Sequence, residues 1–369
     1  MRNKALAALG AAAVLVAASA REVPRKKLIE WGWDEPDTAF LRAHIGEMER
    51  TPFDGCVFHV MAKTDSGPVN LTWRGWGGRA FTEPELQPAI DDLRATRLVR
   101  FRSNFLRFNV TPADLDWYDD HHAVMANARL AARVARLGRS AGIALDTEQY
   151  ERHLFEYSRQ REAGRRSFAD YSAQARRRGR ELMEAFEEGY PGLTVLLSFS
   201  HSYVYWLGFT FKKAPPDNPY GLLAPFLDGL LEGTRKGMIV DGHERSYWFK
   251  EPQLFGGAYQ IMRDGTLAIV ADPARYLRVV SFGFGIWMDY EWRAYGWNPV
   301  DPTKNYFTPE ALYTSTRAAL QAADEYVWIY SEQPRWWSAE GREVKLPAAY
   351  DAALRRAKRD AAGFARRPR

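Results

Sequence analysis

Apolar and polar positions along this chain follow two alternating periods. Short apolar runs with a period of two are followed by longer stretches with apolar residues at helical spacing, the signature of repeated strand–helix units. The first run is Leu28-Ile29-Glu30-Trp31-Gly32-Trp33, and Phe40, Leu41, His44, Ile45 and Met48 then keep a helical spacing. Further runs at 55–60, 103–110, 142–148, 193–200, 237–241, 281–292 and 326–332 bring the predicted strands to eight. Helical patterns fall at about 83–96, 122–138, 151–189, 251–280, 308–325 and 346–362, with another leading into Gly237. Thr308-Pro309-Glu310 has the cap hydroxyl, first-turn proline and early acid of a helix start. The segment 63–80, bearing Gly and Trp, is too long for a plain turn and is a candidate active-site loop, and Tyr203, Tyr205 and Trp206 fall in an aromatic loop after the fifth strand.

Eight strands, each with a helical stretch after it, predict a single-domain (β/α)8 barrel with long loops, over residues 21–369. A doubly wound dinucleotide fold would carry a glycine-rich loop after the first strand. This chain has Trp33-Asp34-Glu35 there.

Residues 1–20 read as an export leader. Arg2 and Lys4 precede the apolar run 5–18, and Ala18-Ser19-Ala20 is an A-x-A cleavage site. The run is too short for a convincing membrane span, so the mature protein is expected to be secreted or periplasmic with no membrane span. Losing Arg2 and Lys4 lowers the formal charge from +5 to +3, too weak a balance to point to nucleic acid. The lone cysteine, Cys56, permits no disulfide within the chain and reads as a small buried apolar residue. No cofactor is expected. Aromatic residues make up 14% of the chain, with 13 Trp, and flat apolar rings are natural platforms for sugars.

Barrel chemistry sits at the C-terminal ends of strands, so acids there carry the most information. On the fourth strand Ala144, Asp146 and Glu148 share a face by the period of two. On the seventh, Gly283, Gly285, Trp287, Asp289 and Glu291 do so. The sixth ends in Asp241, followed by His243 and Glu244, and the eighth carries Trp328, Tyr330 and Glu332. Carboxylates crowded on one rim push their pKa values apart, which is what acid/base cleavage of a glycosidic bond needs. The catalytic candidates are therefore Glu148, Asp146, Asp289, Glu291 and Glu244. Trp33, Trp287 and Trp292 are candidate stacking platforms. Asp34, His59, Arg107, Asn109, His201, Asp241, Tyr330 and Glu332 are candidate partners for sugar hydroxyls.

The pattern resembles the large TIM-barrel glycoside hydrolases over nearly all of residues 25–360. In the clan with an acid/base glutamate after strand four and a nucleophilic glutamate after strand seven, the matching positions are Glu148 and Glu291. Thr147 stands where that clan usually has Asn. The strand-four Asp-x-Glu-x-Tyr also resembles chitinase-like barrels, which would make Glu148 the acid and Asp146 the residue positioning an acetamide; Ala144 replaces their further upstream Asp. The resemblance implies an oligo- or polysaccharide substrate. Two other readings use the same barrel. One is a metal-dependent hydrolase or isomerase, with His59, His201, Asp241 and His243 as candidate ligands. The other is a carbohydrate-binding barrel that does not catalyse.

Overall fold

The computed structural model describes residues 25–337 and 346–362. The expected leader, 1–20, lies outside the described residues. Eight parallel strands form the barrel: β1 (Lys27–Glu30), β2 (Gly55–Phe58), β3 (Phe105–Asn109), β4 (Gly142–Asp146), β5 (Thr194–Leu197), β6 (Met238–Asp241), β7 and β8 (Tyr326–Tyr330). β7 is split into Val280–Phe282 and Phe284–Trp287 on either side of Gly283. Its first piece pairs with β6 and its second with β8, and β8 pairs with β1, which closes the ring. The chain is thus a single-domain (β/α)8 barrel, as the two periods of its sequence predict.

Alternation along each strand decides what fills the barrel. Ile29, Trp31, Val57, Phe105, Ala144, Leu196, Val240, Tyr326 and Trp328 form a closed inner cluster. The intervening residues, such as Leu28, Cys56, Leu106, Ile143, Val195 and Val327, pack outward beneath the helices. Cys56 is buried and unoxidised on that outer face. Full burial of a large side chain contributes about 1.5–3 kcal/mol, so a one-residue slip of any strand would exchange both sets at great cost. Two glycines permit close approach. A Cβ on Gly142 would lie 1.9 Å from the Thr194 carbonyl oxygen, and one on Gly285 would lie 2.6 Å from the Trp328 ring.

The helices begin where short polar side chains satisfy their free N–H groups. Asp37 accepts from the Phe40 amide at 2.8 Å before Thr38–Met48. Ser167 and Asp170 form a reciprocal capping box that starts Phe168–Gly189. That cap explains why the predicted helix over 151–189 begins only at Phe168. Thr308 caps Pro309–Ala322.

Three connections differ from expectation. The segment 63–80 is not a plain loop, because Met61–Thr64 and Gly67–Asn70 form a hairpin that runs into Leu71–Arg74. Gly67, at φ +112°, supplies the turn, and the Thr64 hydroxyl donates to its carbonyl at 2.6 Å. The aromatic stretch after β5 is a helix, His201–Phe211. The seventh strand stops at Trp287 rather than running to Trp292, and the chain turns there with the Trp292 amide donating to the Asp289 carbonyl at 3.0 Å.

Candidate active site

The C-terminal ends of the strands surround a hollow of about 740 Å³. Trp31 and Trp328 lie at 4.6 Å between ring centroids and are lined up with its inner end. Tyr247 stacks on Tyr330 at 5.4 Å and meets Trp328 and Trp287 edge-on at 5.2 and 5.7 Å. The absence of a side chain at Gly285 leaves room for Trp328 and Tyr247. Trp33, Trp73 and Tyr150 line the hollow nearer its mouth, with Trp33 and Tyr150 largely exposed.

Five carboxylates line the same space: Glu35, Asp146, Glu148, Glu244 and Glu332. Their partners divide them. Arg107, on β3, donates to Glu35 at 2.8 Å and to Asp146 at 2.6 Å. Asp146 also accepts from the Tyr150 hydroxyl at 2.9 Å, the Ser198 hydroxyl at 3.0 Å and the Glu148 amide at 3.1 Å. Burial alone would raise the Glu35 carboxyl; the charges of Arg107 and of His59, whose Nδ1 lies 3.5 Å away, overcome it and hold the pKa down. Burial likewise opposes the charge on Arg107, but Glu35 and Asp146 outweigh it and push its pKa up. Glu332 accepts from the Trp292 indole and from Arg293, both at 2.8 Å, and from the Tyr330 hydroxyl at 3.2 Å.

Glu148 and Glu244 are placed differently. Both are half-buried and neither forms an ion pair among the described residues. Burial raises the Glu148 pKa and the charge of Asp146 raises it further, with Tyr150 and Arg107 opposing. Burial pushes Glu244 well above the usual carboxylate range, and the charge of Glu148 is the next contribution, followed by Asp146. The charge of Glu148 therefore opposes the ionisation of Glu244 across one hollow. Glu244 reaches it from a sharp turn after β6. His243 adopts a left-handed backbone at φ 43°, its amide donates to Asp241 at 3.0 Å, and its ring meets the Ser202 hydroxyl at 3.2 Å.

Of the residues singled out in the sequence, Trp33, His59, Arg107, Asp146, Glu148, Glu244, Trp287, Tyr330 and Glu332 line the hollow. The others lie elsewhere. Asp289 is buried behind it, accepting from the Glu332 amide at 3.1 Å, the Gln333 amide at 2.7 Å and the Trp287 indole at 3.0 Å. It braces the end of β7 against the end of β8. Glu291 sits past the turn with φ 45°, at the start of a short helix over Trp292–Tyr295. The alternation that would align Asp289 and Glu291 with Trp287 ends where the strand ends. Trp292 meets the site through its bond to Glu332. Asp34 points away, holding the Trp336 and Trp337 amides.

Asp241 is fully buried on the far side of β6. His201 is buried against Asp228 at 3.2 Å. Asn109 is fully buried, with neither side-chain polar atom bonded among the described residues. Of the four candidate metal ligands only His59 lines the hollow, and no group of three or more His, Cys, Asp or Glu among the described residues is placed to hold a metal ion. Glu35, Trp73, Tyr150, Tyr247 and Arg335 line it without having been singled out. Glu35 and Tyr150 had a signal, since each continues the inward parity of its strand, Ile29-Trp31-Trp33-Glu35 and Ala144-Asp146-Glu148-Tyr150.

No family model matches the chain, and no curated protein matches it in sequence. Several solved structures are similar in shape. One is a GH113 β-1,4-mannanase, at TM-score 0.44 and 10% identity, covering 91% of this chain and 99% of that one. A glycoside hydrolase family 5 protein from Bacteroides vulgatus has TM-score 0.42 and 11% identity over 89% of this chain, which spans 64% of that protein, less than two thirds of it. An Anoxybacillus α-amylase has TM-score 0.43 and 10% identity over 92% of this chain and 79% of that one. At this level of likeness the barrel is read from its own strand pairing and the chemistry from its own side chains.

Proposed function

We propose that the protein is a glycoside hydrolase in which Glu148 and Glu244 are the acid/base couple. The observation that carries this reading is a pair of carboxyls without ion-pair partners, both raised by burial and Glu244 raised further by the charge of Glu148, in an aromatic-walled hollow at the C-terminal end of a barrel. Crowding favours holding a proton on the couple. In this reading Glu244, the more strongly raised of the two, carries that proton to the glycosidic oxygen as the bond breaks, a role the sequence resemblance had given to Glu148. Glu148, ionised, attacks the sugar or takes a proton from the attacking water. Arg107, Tyr150 and Ser198 hold the Asp146 carboxylate in place, and its charge raises both carboxyls of the couple. Trp33, Trp287 and Tyr330, which line the hollow and are not buried, offer flat faces to a pyranose ring. Export through residues 1–20 fits a glycan substrate outside the cytoplasm, and rests on the Ala18-Ser19-Ala20 cleavage pattern.

The test is release of reducing ends from a panel of soluble polysaccharides by wild-type protein and by Glu148→Gln. Hydrolysis of at least one glycan should fall about 10²–10⁴-fold in the variant, with near-UV circular dichroism unchanged. Equal turnover by the two proteins removes Glu148 from the chemistry. Retained affinity with no turnover by the wild type would instead fit a binding barrel.

A further inference from the structure

The cations at the hollow are mostly matched. Arg107 spans Glu35 and Asp146. Arg293 meets Glu332 at 2.8 Å, and Arg335 donates to the Glu332 carbonyl. Arg245 is different. It directly follows Glu244 in the short turn Glu244–Ser246, is half-buried, and forms no hydrogen bond or ion pair with any described residue. Its guanidinium lies over the Trp206 ring, 3.6 Å from the centroid. Burial presses its pKa down, and the phenols of Tyr203 and Tyr290 are the neighbours that oppose this.

A guanidinium resting on an aromatic face loses water on that side but keeps N–H groups at its edge, in the fork that matches a carboxylate. Leaving such a charge half-buried without a counter-charge is costly. Arg245, Trp206 and Tyr203 lie just outside the lining of the hollow, and Glu244, next to Arg245 in the same turn, lines it. Tyr203 stacks on Phe199 at 3.9 Å, and Glu244 and Glu148 both raise the pKa of its phenol. From Tyr203 the rings continue to Trp206 at 6.0 Å and on to the exposed Phe211 at 5.6 Å.

We propose that Arg245, Trp206 and Tyr203 form a subsite for a carboxylate-bearing sugar next to the residue held between Glu148 and Glu244, so that the substrate is an acidic polysaccharide. This rests on the hydrolase reading of the hollow. The two places select opposite charges. The carboxylates of the hollow repel an acidic sugar at the bond to be cleaved, and Arg245 attracts one at the rim, so the order of residues along the glycan is read by charge. A hydroxyl could accept from Arg245 but would leave its charge uncompensated; a carboxylate does both.

The experiment measures binding of Glu148→Gln protein to alginate, polygalacturonate and xanthan, to their carboxyl-reduced forms, and to neutral galactomannan. Depyruvylated xanthan separates uronate from pyruvate ketal as the source of the carboxylate. At least one acidic polymer should bind roughly 10–100-fold more tightly than its reduced form. Adding Arg245→Met should abolish that preference, and Arg245→Lys should retain part of it, with near-UV circular dichroism unchanged in both. A preference that survives Arg245→Met, affinity for neutral or reduced glycans alone, or no affinity for any acidic polymer would overturn the proposal. Hydrolysis of a neutral glycan that Glu148→Gln abolishes and Arg245→Met leaves intact would sink this subsite and keep the hydrolase. Arg245-dependent binding of an acidic polymer that the wild type never cleaves would do the reverse.

Discussion

The ends of β4 and β6 and the ends of β7 and β8 each present acids at the same rim, and they use them in opposite ways. At β7 and β8, Asp289 is filled by two backbone amides and an indole, and Glu332 by an indole, a guanidinium and a phenol. At β4 and β6, Asp146 is filled in the same manner, while Glu148 and Glu244 remain without an ion-pair partner. A carboxylate surrounded by donors fixes geometry and is poorly placed to exchange a proton. A crowded one without them holds a proton near neutral pH and can give it up. Burial raises Asp289 too, to about 6, so donor count together with access to the hollow, rather than position at a strand end, separates the bracing acids from the reactive ones.

The sharpest way to break this contrast is to exchange the expected consequences of two substitutions. Glu244→Gln should lower turnover about 10²–10⁴-fold and leave the unfolding free energy undiminished, since it removes a carboxyl that burial destabilises when ionised. Asp289→Ala should do the opposite. It strands buried donors on Glu332, Gln333 and Trp287, costs about 1–3 kcal/mol in urea unfolding, and reduces turnover modestly through a loosened β7–β8 end. Comparable kinetic losses in the two variants would dissolve the distinction.

A smaller effect comes from an acid outside both groups. Glu30 is fully buried on the outer face of β1, with both carboxyl oxygens unbonded among the described residues. Burial pushes its pKa well up, and Asp34 and Glu35 push it further. Its folded pKa thus lies above the unfolded one. The stability it contributes is present below the unfolded value and is lost as the pH rises toward the folded value. Glu30→Gln removes that dependence. Its thermal midpoint should exceed the wild type's by roughly 2–4 °C at pH 8 and match it near pH 4. Identical pH profiles of the two midpoints would show that Glu30 ionises as freely in the fold as in the unfolded chain.

Much of this arrangement was legible in the sequence because alternation is local. The period of two on β4 and β8 put Asp146, Glu148, Tyr330 and Glu332 on the cavity side, and there they lie. On β1 the same rule favours Glu35 over Asp34, since Trp31 and Trp33 share its parity, and Asp34 instead ties down Trp336 and Trp337. The rule fails where the strand does. Nothing local marks Trp287 as the last residue of β7; amides just past β8, distant in sequence, capture Asp289 beyond its end. Glu244 was visible as an acid beyond β6, but its rank over Glu291 was not. That rank depends on the left-handed turn at His243 and on the charge of Glu148 across the hollow.

The most direct test is the titration of the Glu244 carboxyl, followed by carboxyl-region NMR in wild-type protein and in Glu148→Gln. With the opposing charge removed, the Glu244 pKa should fall toward the ordinary carboxylate range while remaining raised by burial. An unchanged Glu244 pKa would mean that the two groups do not share a proton, and the acid/base couple would not stand.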